Sequence, residues 1–106
     1  FVRAWQQIDT ARAAFAQATA GYDAVLLPSC PILPPPTADL LADQDLFVSK
    51  NLAALRNTRV GNLMGSAALT LPTGTPFCGL MALVGPGEEA RLLRLGIAME
   101  KSLSLR

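Results

Sequence analysis

Residues 60–87 contain no Asp, Glu, Lys, Arg or His. A stretch of that length could cover a bilayer, but Asn62, Gly65, Pro72, Gly74, Pro76 and Gly79 interrupt it, and a spanning helix is not punctuated in this way. The same residues leave two short apolar runs, 67–71 and 80–84, joined by Pro72, Thr73, Gly74, Thr75, Pro76, Phe77 and Cys78. Two strands with an irregular hairpin connector fit that pattern. Strands that are apolar without alternation are normally covered on both faces, as in the parallel or mixed sheets of α/β proteins.

The flanking sequence supplies part of such a cover. Residues 2–20 form an amphipathic pattern in which Phe1, Trp5, Ile8, Ala11, Phe15 and Ala18 share a stripe, while Arg3, Gln6, Asp9 and Arg12 point to solvent. Gly21 is well placed to end this helix. Residues 24–27 are a four-residue apolar run between a glycine and Pro28, short enough for a buried strand. Residues 28–45 hold a cluster of prolines up to Pro36 and then Asp39, Asp43 and Asp45, which predicts a stiff irregular loop. A second helical pattern covers 46–57. A third runs from Glu88 to Leu103, with acidic residues in its first turn and Lys101 near its end.

The expected fold is therefore α/β, a partial mixed sheet of about three apolar strands with three helices, undivided over residues 1–106. Three helices can cover one face of such a sheet but hardly two. The chain also opens within a helical pattern at Phe1 with no cap residue before it. Together these features predict a segment of something larger, or one that completes its core against a second copy of itself.

Composition narrows the function. Half of the residues (51%) are apolar and 16% are charged, with a net charge of +1, and the arginines are scattered. No nucleic-acid footprint and no attraction to an anionic membrane follows. The absence of histidine removes histidine-based triads, the commonest general base and histidine-rich metal sites. Cys30 and Cys78 are far apart in sequence with no CxxC, so neither a metal site nor a disulfide framework is expected, and a reduced cytoplasmic setting is the default. No cofactor is implied.

No catalytic constellation is complete. Ser29, Ser49, Ser66, Ser102 and Ser104 are possible nucleophiles, with Lys50 and Lys101 as possible bases. Adjacent Ser49 and Lys50 diverge by about 100° on a helix and make no working pair. Cys30, with no histidine to activate it, reads as a small apolar residue. Gly85, Pro86 and Gly87 before a helix could offer amides to an anion, but Glu88 and Glu89 would repel it, and a tight strand-to-helix connection is favoured. Arg56, Arg59 and Asn62 bracket an expected helix end beside the charge-free region. They could orient a carboxylate or carbonyl substrate, or lie over a sheet edge with their heads in water.

Taken in order, these runs resemble the C-terminal part of amidase signature enzymes. Tyr22-Asp23-Ala24-Val25-Leu26-Leu27-Pro28-Ser29-Cys30-Pro31 resembles that family's strand entering a proline-rich loop. Thr58-Arg59-Val60-Gly61-Asn62-Leu63-Met64-Gly65 followed by Leu69-Thr70-Leu71-Pro72-Thr73-Gly74 is similar to its "T…N-x-x-G-x-P…P-x-G" run. Gly79-Leu80-Met81 to Gly85-Pro86, with Glu88 and Glu89 leading to Leu92-Leu93 and Glu100, is similar to its closing strand and helix. Ala67 stands where many members have proline, and Met81 near a common glutamine. Within the family, "LRNTRVGNLMG" and "GLMALVGPGEEARLLRLG" look most like the amidase part of allophanate hydrolases or an amidotransferase A subunit.

The resemblance implies a mixed α/β sheet wrapped by helices, and hydrolysis of a C–N amide bond. It also implies a serine nucleophile, a second serine on a cis peptide and a lysine in a glycine- and serine-rich region. No such stretch occurs in this sequence, so no catalytic residue is assigned and the chain alone is expected to be inert. What it would contribute is core strands and one side of a pocket for a small amide, with Ser29, Cys30, Arg56, Thr58, Arg59 and Asn62 as candidate substrate-binding residues. Its expected partner is the rest of an amidase chain or a second copy. The reading from another class is an autonomous, non-catalytic α/β interaction module that self-associates through its apolar sheet.

Overall fold

The longer of the two strands without a polar side chain takes the centre of the sheet. The computed structural model describes residues 1–104. In it β3 (Gly79–Val84) lies between β1 (Val25–Pro28) and β2 (Ala67–Pro72). Val25 faces Leu83 and Pro28 faces Leu80 on one side of β3; Ala67 faces Val84 and Pro72 faces Gly79 on the other. The α/β class and the three strands stand as expected, but the sheet is antiparallel at both pairings rather than mixed. The connector between β2 and β3 is too short for the crossover that a parallel pair needs.

The described residues form five helices where three were expected: α1 (Val2–Thr19), α2 (Thr37–Ala42), α3 (Gln44–Ala54), α4 (Arg56–Met64) and α5 (Glu89–Ser104). The loop expected over 28–45 is irregular only as far as Pro36, the N-cap of α2. Asp43 then starts α3, its carboxylate accepting the N–H groups of Asp45 and Leu46 at 2.9 and 3.1 Å, as an N-cap aspartate does. The single helix expected over 46–57 is divided at Leu55, and α4 continues through the region expected to be a helix end. It stops at Gly65, whose φ of 67° is left-handed. Gly65 and Ser66 donate back to Asn62 O and Gly61 O at 3.4 and 3.0 Å, the paired bonds of a Schellman motif.

Because side chains alternate along a strand, the pairing sorts them onto two faces. One face carries Ala67, Leu69, Ala82 and Val84; α5 covers it through Leu92, with Met99 alongside. It approaches so closely at Gly96 that a Cβ there would overlap Leu69 Cδ2. The other face carries Val25, Leu27, Met81 and Leu83. There α4 packs through buried Gly61, where an added Cβ would lie 3.2 Å from Leu83 Cδ2.

Neither face is fully covered. Leu26, on the α5 face of β1, is 53% exposed, and Ala68 and Thr70, on the opposite face of β2, are exposed. Buried apolar side chains are confined to Met81, Ala82, Leu83, Val84 and Leu92 among the described residues. The accessible surface of 7643 Å² compares with about 5,700 Å² for a compact monomer of this mass. The radius of gyration, 16.4 Å, likewise exceeds the roughly 13 Å of a compact chain of this length.

Helix α1 is held by a residue expected to face solvent. Arg12 Nε donates to Leu63 O at 2.7 Å, and its guanidinium lies 5.9 Å from the centroid of Trp5. Ile8, Arg12, Phe15 and Thr19 are half-buried, whereas Ala11 and Ala18 are exposed. The carbonyls at the end of α4 reward a cation, and the arginine stem covers apolar surface on its way there.

Candidate functional site

The end of the sheet where β1 and β2 finish and β3 begins gathers the polar groups. Ser29 follows β1, and its N–H donates to Gly79 O at 2.9 Å. That bond fixes Ser29 on the α4 face of the sheet, two residues beyond Leu27. Thr70 of β2 lies on the same face. Their hydroxyls, Ser29 Oγ and Thr70 Oγ1, are 3.1 Å apart although a whole strand separates their backbones. The gap they cross is Gly79: a Cβ there would stand 2.8 Å from Ser29 Oγ and 3.0 Å from Thr70 Cγ2.

Helix α4 is tied to the same place. Asn57 Nδ2 donates to Pro28 O at 2.8 Å, bringing the first turn of α4 against the exit of β1. Asn57 and Gly61, four residues apart, share the inward side of the helix. Thr58 is half-buried and its Oγ1 donates to Leu55 O at 3.1 Å. Arg56, Arg59 and Asn62 are exposed, and no hydrogen bond or ion pair engages their side chains among the described residues. Cys30 is an exposed free thiol one residue beyond Ser29.

The six expected pocket residues thus fall into three groups. Ser29 and Cys30 follow β1 at the polar sheet end, Thr58 is half-buried in α4 and bonded among the described residues only to Leu55 O, and Arg56, Arg59 and Asn62 are exposed on α4. Arg56 opens α4 directly after the break at Leu55, whereas Arg59 and Asn62 stand within that helix. Asn57 and Thr70, which sequence reasoning passed over, make the side-chain contacts that organise the site. Thr70 is the one polar residue inside an otherwise apolar strand, which is a legible signal. Asn57 had only its four-residue spacing from Gly61.

A cleft of about 350 Å³ opens at the other end of the sheet, beneath α1. Arg12, Phe15, Val25, Leu83 and Arg91 are among its walls, and none of the six expected residues lines it. Its cations are already engaged, Arg12 with Leu63 O and Arg91 Nη1 with Asp23 O at 2.7 Å. Arg91 also pairs with Glu88. The turn at Gly85 to Gly87, closed by Glu88 N–H on Gly85 O at 3.3 Å, is therefore a strand-to-helix connection with a carboxylate beside it.

Among the described residues no cluster of three His, Cys, Asp or Glu side chains could hold a metal ion, and no helix is long and apolar enough to cross a membrane. The arrangement can position a carbonyl or hydroxyl of a small molecule by hydrogen bonds, but it joins no nucleophile to a base.

Comparison with known proteins gives one informative likeness. Over 82 residues the chain is 35% identical to 2-amino-5-chloromuconic acid deaminase of Comamonas testosteroni, a match that covers 74% of this chain and 18% of the relative. The chain therefore matches less than a fifth of that relative's length. No family model matches, and no solved structure does.

Proposed function

We propose that this chain is the part of an amidase-like enzyme that supplies core strands and one wall of the substrate pocket, while nucleophile and base come from another part of the polypeptide. The observation that carries the reading is the sheet itself: three strands with both outer edges unpaired and each face half covered. An uncovered apolar sheet is completed by more protein, since lone edges and exposed faces are liabilities. The likeness to a deaminase and the sequence resemblance to amidase signature enzymes both favour cleavage of a C–N bond. A finer likeness to allophanate hydrolases or amidotransferase A subunits rests on the runs at 55–65 and 79–96.

In this reading Ser29, Cys30 and Thr58 edge the pocket, and Arg56, Arg59 and Asn62 reach over it from α4. Exposed arginines with no partner of their own suit a substrate carbonyl or carboxylate better than a structural ion pair does. The test is a comparison of amide hydrolysis by this chain alone and by a polypeptide that also carries the serine- and glycine-rich segment. The chain alone should release no ammonia from simple amides. Hydrolysis by the isolated chain that a serine-directed inhibitor blocks would overturn the reading. A discrete folded oligomer formed by the chain alone, in place of completion by that segment, would favour the self-associating module.

A further inference from the structure

The β1–β3 ladder pairs Val25 with Leu83 through to Pro28 with Leu80. The Ser29 N–H to Gly79 O bond of 2.9 Å carries it one residue further. Ser29 is a bend at which β1 leaves the ladder; counted one step further, the same register brings Cys30 level with Cys78. The other side of β3 agrees. After Pro72 opposite Gly79, Thr73 faces Cys78, donating to Cys78 O from its N–H at 3.4 Å and from its Oγ1 at 2.9 Å. Those bonds turn the Cys78 carbonyl toward β2. In a regular ladder the position opposite Cys30 would be of the non-hydrogen-bonded kind, whose Cα atoms stand about 4.5 Å apart with the side chains closest. Disulfides span Cα separations of roughly 4.4–6.8 Å. Pro31 keeps Cys30 extended. Both thiols are exposed, and these are the chain's two cysteines, so no other pairing within the chain competes.

We propose that Cys30 and Cys78 form a reversible intramolecular disulfide, a covalent modification site at the open end of the sheet, with a low-molecular-weight disulfide such as oxidised glutathione as the oxidant. One protein thiolate attacks the small disulfide and expels the first small thiolate, leaving a mixed disulfide. The second protein thiolate then attacks the protein sulfur of that mixed disulfide, forms the Cys30–Cys78 bond and expels the second small thiolate. The two protons leaving the protein thiols end on the two released thiols. The protein loses two hydrogens and two electrons, and the small disulfide gains them. The bond would tie the proline loop after β1 to the connector before β3.

The experiment incubates the reduced chain with oxidised glutathione, quenches with acid, and maps peptides by mass spectrometry without reduction. The expected product is one intramolecular crosslink between the peptides holding Cys30 and Cys78, reversed by dithiothreitol. Cys30→Ser and Cys78→Ser should each abolish it and leave a single glutathione adduct on the remaining cysteine. The folded chain should close the bond at least about tenfold faster than the same chain in denaturant, because the register raises the effective concentration of the two thiols. Two stable glutathione adducts with no crosslink, or closure no faster than in denaturant, would overturn the proposal.

Discussion

Ser29 Oγ lies 3.1 Å from Thr70 Oγ1, and the two hydroxyls meet over Gly79 of the strand between them. The contact joins the two outer strands of the sheet directly, and only a residue without a Cβ leaves room for it. Gly79→Ala should therefore cost about 1–3 kcal/mol, the usual range for overpacking. Ser29→Ala removes one exposed hydrogen bond and should cost about 0.5–1 kcal/mol. Combining the two should recover part of the Gly79→Ala loss, since the methyl then meets no oxygen. Urea midpoints of the three variants check this. A Gly79→Ala chain as stable as the parent would mean that the strands part freely at this end.

Asn57 holds α4 to the end of β1 through Pro28 O. Asn57→Ala should cost about 0.5–1.5 kcal/mol, the ordinary net worth of one hydrogen bond. Asn57→Asp should cost more, because it sets a carboxylate oxygen against a carbonyl. Denaturant titration gives the order, and hydrogen exchange should show the α4 amides from Arg59 onward, the first that are hydrogen-bonded, losing protection before β3 does. Equal stability of the Ala and Asp variants would show that the amide proton is not what binds the helix.

Phe77 has a φ of 61° and is 74% exposed, in a turn that Cys78 N–H closes on Thr75 O at 3.2 Å. With Pro76 at the preceding position, this is the place in a turn where glycine is ordinarily found. Phe77→Gly relieves the left-handed backbone at some cost in unfolded-state entropy, and should raise stability by about 0.5 kcal/mol. Thermal denaturation should move up by about 2–4 °C for a chain of this size. A fall would show that the ring makes contacts worth more than the strain.

Much of the sheet was legible because its signals are local. The prolines and glycines around 72–79 marked the hairpin, and Pro28 closed β1. The helical region from 37 to 64 was less legible. There Asp43 supplies a cap that an acidic stretch conceals, and the break at Leu55 leaves no glycine or proline behind. The site was read by residue type, which favoured the arginines. The contacts that organise it come from Asn57 and Thr70, whose neighbours are distant in sequence. Cys30 and Cys78 illustrate the same limit, since the proposed link between them rests on counting the strand register and not on their spacing in sequence.

Arg12 meets the C-terminus of α4, where Leu63 O accepts from Nε at 2.7 Å and the guanidinium plane lies against Gly65. A cation at a helix C-terminus interacts favourably with the exposed carbonyls, and the half-buried stem adds packing. Arg12→Ala should therefore cost about 1–2 kcal/mol, combining a charge-assisted bond with lost apolar contact. Arg12→Met keeps the stem and Arg12→Lys keeps the charge, so both should fall between the parent and the Ala variant. Trp5 is the chain's single tryptophan and the ring beside this guanidinium, so its fluorescence should change in the Ala and Met variants while the chain is still folded. Coincident denaturation midpoints for all four proteins, with unchanged emission, would mean that α1 is held by Ile8 and Phe15 and owes nothing to the arginine.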